Sequence, residues 1–244
     1  MIKLFRHIRQ QLILENKMGK YFKYAIGEIF LVVIGILIAL QINNWNESRK
    51  DVQREIKMLM DIKNDINNNI ANITEGVTIL EEGIQLTTNI LTAYKDKTSY
   101  DSTMVKDFLF FNYYWDPDFR YASFENLQKE GVNLISNDSL RDKIIEIFEI
   151  DMDILDVSDL NKHNDYMTSV GNMVINNHLY FDYGTGFILP INYQDMMSDS
   201  SFYSFASFHL SYQYQAWDKS KKFIEKSQLL DNAIGKEIKR LQNN

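Results

Sequence analysis

Ala25-Ile-Gly-Glu-Ile-Phe-Leu-Val-Val-Ile-Gly-Ile-Leu-Ile-Ala-Leu-Gln-Ile42 is a run of 18 residues whose only charge is Glu28. A helix rises about 1.5 Å per residue, so the run spans roughly 27 Å, close to the hydrocarbon thickness of a bilayer. Tyr21 and Tyr24 precede it and Trp45 follows, and amphipathic rings favour the headgroup level. A buried core helix and a cleaved signal peptide are the competing explanations. The signal peptide fits badly: the leading region is too long, and Gln41-Ile-Asn-Asn-Trp45 offers no small-x-small cleavage site. The sequence predicts an uncleaved signal anchor, with the lipid bilayer as its first partner.

Charge is distributed around that run in three blocks. Residues 1–23 hold Lys3, Arg6, Arg9, Lys17, Lys20 and Lys23 against Glu15, a net +5. Residues 24–46 hold Glu28 alone, and the remaining residues 47–244 bring the chain to −7, so they carry −11. A basic head, a neutral middle and an acidic body is the layout of a membrane-anchored protein. Ile2, Phe5, Ile8, Leu12 and Ile13 recur at helical spacing among Arg6, Arg9 and Gln10. Such a basic amphipathic helix lies on the anionic cytoplasmic leaflet. Arg49, Lys50, Arg54 and Lys57 close to the other end nearly balance a local count of bases, so the amphipathic head sets the orientation. The expected arrangement is a cytoplasmic segment 1–23, a transmembrane helix 24–46 in the cytoplasmic (inner) membrane, and a periplasmic domain 47–244.

Two stretches resemble a known family. One is Glu15-Asn-Lys17, Lys20-Tyr21, Tyr24-Ala-Ile-Gly-Glu-Ile29 and Leu31 through Asn46-Glu47; the other is Tyr121-Ala-Ser-Phe-Glu-Asn-Leu-Gln-Lys-Glu-Gly-Val-Asn-Leu-Ile-Ser-Asn-Asp-Ser-Leu-Arg141. Together they are similar to the DUF6090-like proteins, small membrane proteins of Bacteroidota with no assigned function. In that family the turn of the second stretch is usually Ser-Gly, where this chain has Glu130-Gly131. The resemblance implies a single-pass inner-membrane protein and supplies no catalytic residues.

Apolar periodicity continues beyond the span. Val52, Ile56, Leu59, Lys63, Ile66, Ile70, Ile73, Val77, Leu80, Ile84, Thr87 and Leu91 alternate at spacings of four and three, and all but Lys63 and Thr87 are apolar. This is a heptad seam of nearly six repeats, which strand alternation does not produce. Projected backward, the register passes through Arg49, Trp45, Ile42, Ile38, Gly35, Leu31 and Glu28. One nearly continuous helix is predicted, ending before Tyr94-Lys-Asp-Lys-Thr98. Gly76 and Gly83 weaken it by about 1 kcal/mol each relative to alanine, and a bend is expected there. The seam has two available partners, copies of itself or later helices of the same chain. Because the rest of the chain also needs a core, the expectation is an antiparallel up-and-down bundle.

The later segments supply that core. Ser102 is positioned to cap a short helix through Phe111, and Ser123 another that Gly131 stops. The stretch Tyr113–Phe119 breaks the chain between them at Pro117. Asn137 or Asp138 caps a long helix with Leu140, Ile144, Ile147, Phe148, Leu155 and Leu160 inward. Residues 171–200, with Gly184, Gly186 and Pro190, read as an ordered loop or small hairpin. A final helix from about Phe202 to Leu241 is expected to bury Trp217, Ile224, Leu230, Ile234 and Ile238. The fold class is therefore all-α, with a small irregular or hairpin insertion.

The search for chemistry is mostly negative. Cysteine is absent, which excludes disulfides, thiolate metal sites and cysteine nucleophiles. His7, His163, His178 and His209 are scattered with no metal-ligand spacing, and no metal site or cofactor is expected. No nucleophile elbow or phosphate loop occurs; Gly184-Thr-Gly186 reads as a turn. Asp151, Asp153, Asp156 and Asp159 read as solvated helix surface, and Asp116-Pro-Asp118 as a turn. Phe202, Tyr203, Phe205, Phe208, Tyr212, Tyr214 and Trp217 read as core at helical spacing. The acidic balance argues against nucleic acid as a partner.

Glu28 stands apart, since a carboxylate within a span costs about 3 kcal/mol near the centre and less near an interface. It lies about one turn inside Lys23 and Tyr24, and shares a face with Gly35, Ile38 and Ile42. Gly35-x-x-x-Ala39 is a small-residue pair that permits close helix approach, so a homo-oligomer is a possible assembly. Two functions remain: a non-enzymatic envelope protein that binds a protein partner as scaffold or sensor, or an accessory subunit of an energised membrane complex using Glu28 for coupling or assembly.

Overall fold

The computed structural model of the chain describes residues 18–112, 117–155 and 165–243. The amphipathic head up to residue 17, Tyr113–Asp116, and the stretch holding Asp156, Asp159, Leu160 and His163 lie outside the described residues. Helix α1 runs from Met18 to Asp96, 79 residues. It contains no proline, and its apolar residues keep helical spacing throughout. Helical structure continues through Gly76 and Gly83. Its end lies two residues beyond Tyr94, where Lys97 adopts φ 51°. The Thr98 N–H then bonds back to the Ala93 carbonyl at 3.0 Å, the six-to-one bond of a Schellman stop.

Contacts divide the chain between Arg54 and Glu55. In the first unit, residues 31–54 of α1 are exposed apart from Val52, which is half-buried. The apolar window there has a mean hydropathy of 2.5, and none of it is buried. A core helix of a soluble protein would be covered by its own chain. This helix is long and apolar enough to cross a membrane.

In the second unit the same helix is a core element. Ile56, Leu59, Ile66, Ile73, Val77, Leu80, Thr87 and Leu91 of the seam are buried. Helix α2 (Ala122–Glu130) and a 3₁₀ turn (Val132–Leu134) precede α3 (Asp138–Ile145), which passes into a π-helical turn over Glu146–Asp151. A second π-helical turn, Met167–Gly171, leads into α4 (Asn172–His178). Strands β1 (Leu179–Asp182) and β2 (Phe187–Pro190) then pair antiparallel, Tyr180 opposite Leu189 and Phe181 opposite Ile188. The short α5 (Tyr193–Met196) leads to α6, Ser200–Gln242.

Helices α1 and α6 run antiparallel. Tyr94 meets Tyr203 with ring centroids 4.8 Å apart, the Trp217 indole N–H donates to Glu81 at 2.8 Å, and Lys63 pairs with Asp231. The seam's partners are therefore later elements of the same chain, as the need for a core implied.

Several local expectations change. The segment Ser102–Asn112 is a 3₁₀ helix, and Asp101 rather than Ser102 accepts at its start, from the Thr103 N–H at 2.8 Å. Ser123 is inside α2 and buried, so it does not cap. Gly131 does end α2, at φ 101° and ψ 127°, with its N–H on the Leu127 carbonyl at 2.9 Å. Asn137 is the cap of α3, accepting from the Leu140 N–H at 3.2 Å. The hairpin forms where glycines and Pro190 cluster, because Gly186 takes φ 74° and the Asp182 carboxylate ties the turn through Gly184 N–H and the Thr185 hydroxyl.

Candidate functional site

The residues singled out in and beside the apolar run all fall in the N-terminal part of α1. Tyr21 and Tyr24 fall in its first two turns, and Trp45 is 65% exposed toward its other end. Glu28 is half-buried, whereas Gly35 and Ala39 are exposed, and nothing lies within 4 Å of the place a Cβ on Gly35 would occupy. Gly35 and Ala39 share a face one turn apart, so the run presents an open, close-approach surface. Nothing from the described residues fills it.

Beyond Arg54 a row of polar groups lies beside the seam. Asp65, Asn69 and Asn72 recur at spacings of four and three, next to Ile66, Ile70 and Ile73. Each holds main chain of the segment that follows Pro117. Asn72 accepts from the Asp118 N–H at 3.2 Å. Asn69 accepts from the Arg120 N–H at 2.8 Å and donates to its carbonyl at 3.1 Å. Asp65 accepts from the Ser123 N–H at 2.9 Å, which answers one of the open donors at the start of α2. About three turns before Asp65, the buried Glu55 accepts from both the N–H and the hydroxyl of Ser136.

A second clasp closes the same end from α6. The buried Glu237 accepts from Arg240 at 2.6 and 3.0 Å and from the Asn137 amide at 3.1 Å. The Arg240 bonds, aided by Asn137 and opposed by burial, hold the Glu237 carboxyl below its ordinary value. Arg141 donates to the Ile135 carbonyl at 3.3 Å and pairs with Asp138 at 2.8 Å. Thus Tyr121–Arg141, one of the two stretches on which the resemblance rests, is docked on α1 and α6 by Asp65, Glu55 and Glu237. Sequence reading missed these residues because acids and amides flanking a seam resemble a solvated face. Their four-and-three repeat beside the apolar one was the available signal.

Several other titratable groups tie one element to another. Asp151, read as solvated surface, is largely covered and pairs with Lys226 at 2.9 Å; the same lysine reaches Glu146 at 2.9 Å. Those bonds, Glu146 first, raise the Lys226 ammonium above its ordinary value. Asp153 remains exposed. His178 contacts Asp199 at 2.7 Å, and Asp199 also caps α6 through the Ser201 N–H. The Ser201 bonds, with His178 behind them, hold the Asp199 carboxyl below the usual carboxylate range. Among the described residues, no three His, Asp or Glu side chains are grouped to hold a metal ion.

The buried face of α6 departs from the expected one. Leu230 and Ile234 are buried as expected, but Trp217, Ile224 and Ile238 are only half-buried. His209, Gln213, Ser220 and Ser227 lie inward instead. Among the described residues, the hydroxyls of Thr87, Ser220 and Ser227 have no hydrogen-bond partner. Of the aromatic group, Phe202 and Phe205 are core, while Phe208 and Tyr214 are 41% and 50% exposed.

At the opposite end of the second unit from Glu55, the hairpin is anchored by Leu179 and Ile188 in a cluster with Ile90, Phe108, Phe202 and Phe205. Its outer part is uncovered: Tyr180, Phe181 and Ile191 are about half exposed, and Tyr183 is 93% exposed. Phe181 and Tyr183 meet edge to face at 5.0 Å.

A family model described as a family of unknown function, DUF6090, matches residues 28–209, which takes in most of the apolar run, the docked stretch and the hairpin. No curated protein and no solved structure matches the chain.

Proposed function

The chain belongs to the DUF6090 family, and from that premise we propose that it is a single-pass, membrane-anchored binding protein, a scaffold or sensor rather than an enzyme. One observation carries this reading. A single helix changes character along its length, wholly uncovered and apolar around residues 31–42, then buried in a core from Ile56 onward. An uncovered apolar stretch of this length is stable in lipid and a liability in water. The basic amphipathic head favours a cytoplasmic N-terminus, which leaves the body on the periplasmic side of the inner membrane. The ionised groups of the body support the binding reading over catalysis, because Glu55, Asp65, Glu237 and Lys226 are engaged in holding one element to another.

Affinity purification of the full-length protein from native membranes in mild detergent tests the proposal. The expected result is extraction only with detergent and a co-purifying protein partner. Recovery of the full-length chain from the soluble fraction would sink the anchor. Recovery of this protein alone would instead favour self-assembly.

Glu28 favours a second reading, an accessory subunit of an energised complex, because an ionisable side chain in a span marks a functional position by default. Glu28→Gln separates the two. Loss of function with intact assembly supports coupling, and full retention supports the plain anchor.

A further inference from the structure

Strand β1 has an open outer edge. The Ile191 N–H bonds the His178 carbonyl at 2.8 Å, so with alternation along the ladder Tyr180 and Asp182 turn their main chain toward β2 and Phe181 turns its N–H and carbonyl outward, while the Leu179 N–H is taken by the Ile175 carbonyl. The sheet stops at two strands. The other edge is managed: β2 carries Pro190 and packs against Ser102–Asn112. Edges are ordinarily blunted by proline, lysine or a covering element. Leu179-Tyr-Phe181 has neither proline nor lysine, and its two aromatic rings are about half exposed beside the buried Leu179.

The electrostatic setting selects among occupants. Residues 165–218 contain Asp165, Asp182, Asp195, Asp199 and Asp218 but no lysine, arginine or glutamate. Asp182 and Asp195 flank the hairpin and are partly or fully exposed. Lys95, Lys97 and Lys106 stand at the same end, but Asp96, Asp101 and Asp107 match them, so the end keeps a net negative charge that disfavours an anionic lipid surface, nucleic acid or acidic glycan. An extended cationic polypeptide is attracted, and its main chain has an unpaired strand to meet.

From this edge, these rings and this charge, we infer that β1 is a strand-addition site for an extended, positively charged segment of another protein. The segment pairs with the Phe181 main chain, rests apolar side chains on Tyr180 and Tyr183, and directs its cations toward Asp182. This deepens the reading of the body as a binding module and rests on it.

A photo-crosslinking residue at Tyr183, in the full-length protein in native membranes, tests the inference, with a second probe at Leu229, 65% exposed on α6. Tyr180→Lys and Tyr180→Glu remove the same ring and differ in charge sign. The expected result is a polypeptide adduct at position 183, at least about tenfold stronger with Glu than with Lys at 180, a difference of about 1.4 kcal/mol. Phe181→Pro, which removes the outward N–H, abolishes the adduct, whereas Phe181→Ala retains it. An adduct indifferent to the sign at 180, an adduct to lipid, glycan or a second copy of this chain, or no adduct at 183 overturns the inference. Adducts at 229 without any at 183 overturn it while leaving the binding reading intact; none at either position overturns both.

Discussion

The buried carboxylate of Glu55 accepts two hydrogen bonds from one residue, Ser136, through its backbone N–H at 2.8 Å and its hydroxyl at 2.9 Å. The two residues are separated by 81 positions, so this one side chain fastens the end of the docked stretch where α1 enters the core. Glu55→Ala is expected to cost about 3 kcal/mol, since it removes charge-assisted bonds and strands a main-chain donor. Ser136→Ala leaves the main-chain bond and is expected to cost about 1 kcal/mol. Denaturant unfolding of the detergent-solubilised protein measures both, and equal costs would contradict the two-bond arrangement.

Two helix ends have opposite defects. Gly131 sits at φ 101°, and nothing lies within 4 Å of where a Cβ would stand, so only backbone strain opposes a side chain there. Gly131→Ala is expected to destabilise by about 1–3 kcal/mol. Lys97 occupies φ 51° despite carrying a side chain, and Lys97→Gly is expected to stabilise by about 1 kcal/mol. The shifts in melting temperature should carry opposite signs.

Ser227 is fully buried in α6, and its hydroxyl lacks a partner among the described residues. Alanine removes an unsatisfied polar group and raises helix propensity. Ser227→Ala is expected to stabilise by about 1 kcal/mol, against the usual direction for a core substitution. A loss of stability would show that the hydroxyl is engaged after all.

Stability should fall on both sides of neutrality for different reasons. The folded-state depression of Glu237 gives a contribution present above the unfolded carboxyl value near about 4.3 and lost as pH falls through the lower folded value. The elevation of Lys226 gives a contribution present below about 10.4 and lost as pH rises through the folded value. In thermal melts across pH, Glu237→Gln should flatten the acid limb alone, and Lys226→Met the alkaline limb alone.

If the open face around Gly35 and Ala39 seats a second copy, Gly35→Leu should block it by filling the space where backbones meet. Crosslinking in native membranes is expected to show dimer falling several-fold. An unchanged oligomer size would remove that face from any assembly.

The sequence by itself determined the helical class, the apolar run, the seam, the stop at Gly131 and a helix start at Asn137 or Asp138. Each depends on the pitch of a helix or the steric freedom of one residue, and both are legible within a few neighbours. Pairing across the fold is another matter. Helical spacing marked a buried face on α1 without naming its partner, because either self-association or intramolecular packing satisfies a heptad; only the need of the rest of the chain for a core favoured the second. Only the tertiary structure decided that Asp65, Asn69 and Glu55 grip main chain 51 to 81 residues away, and that α6 buries Ser220 and Ser227 while leaving Trp217 half-covered. The physical reason is that a polar side chain beside a seam has the same local pattern whether water or a distant N–H satisfies it. The choice is made by what the rest of the chain brings alongside.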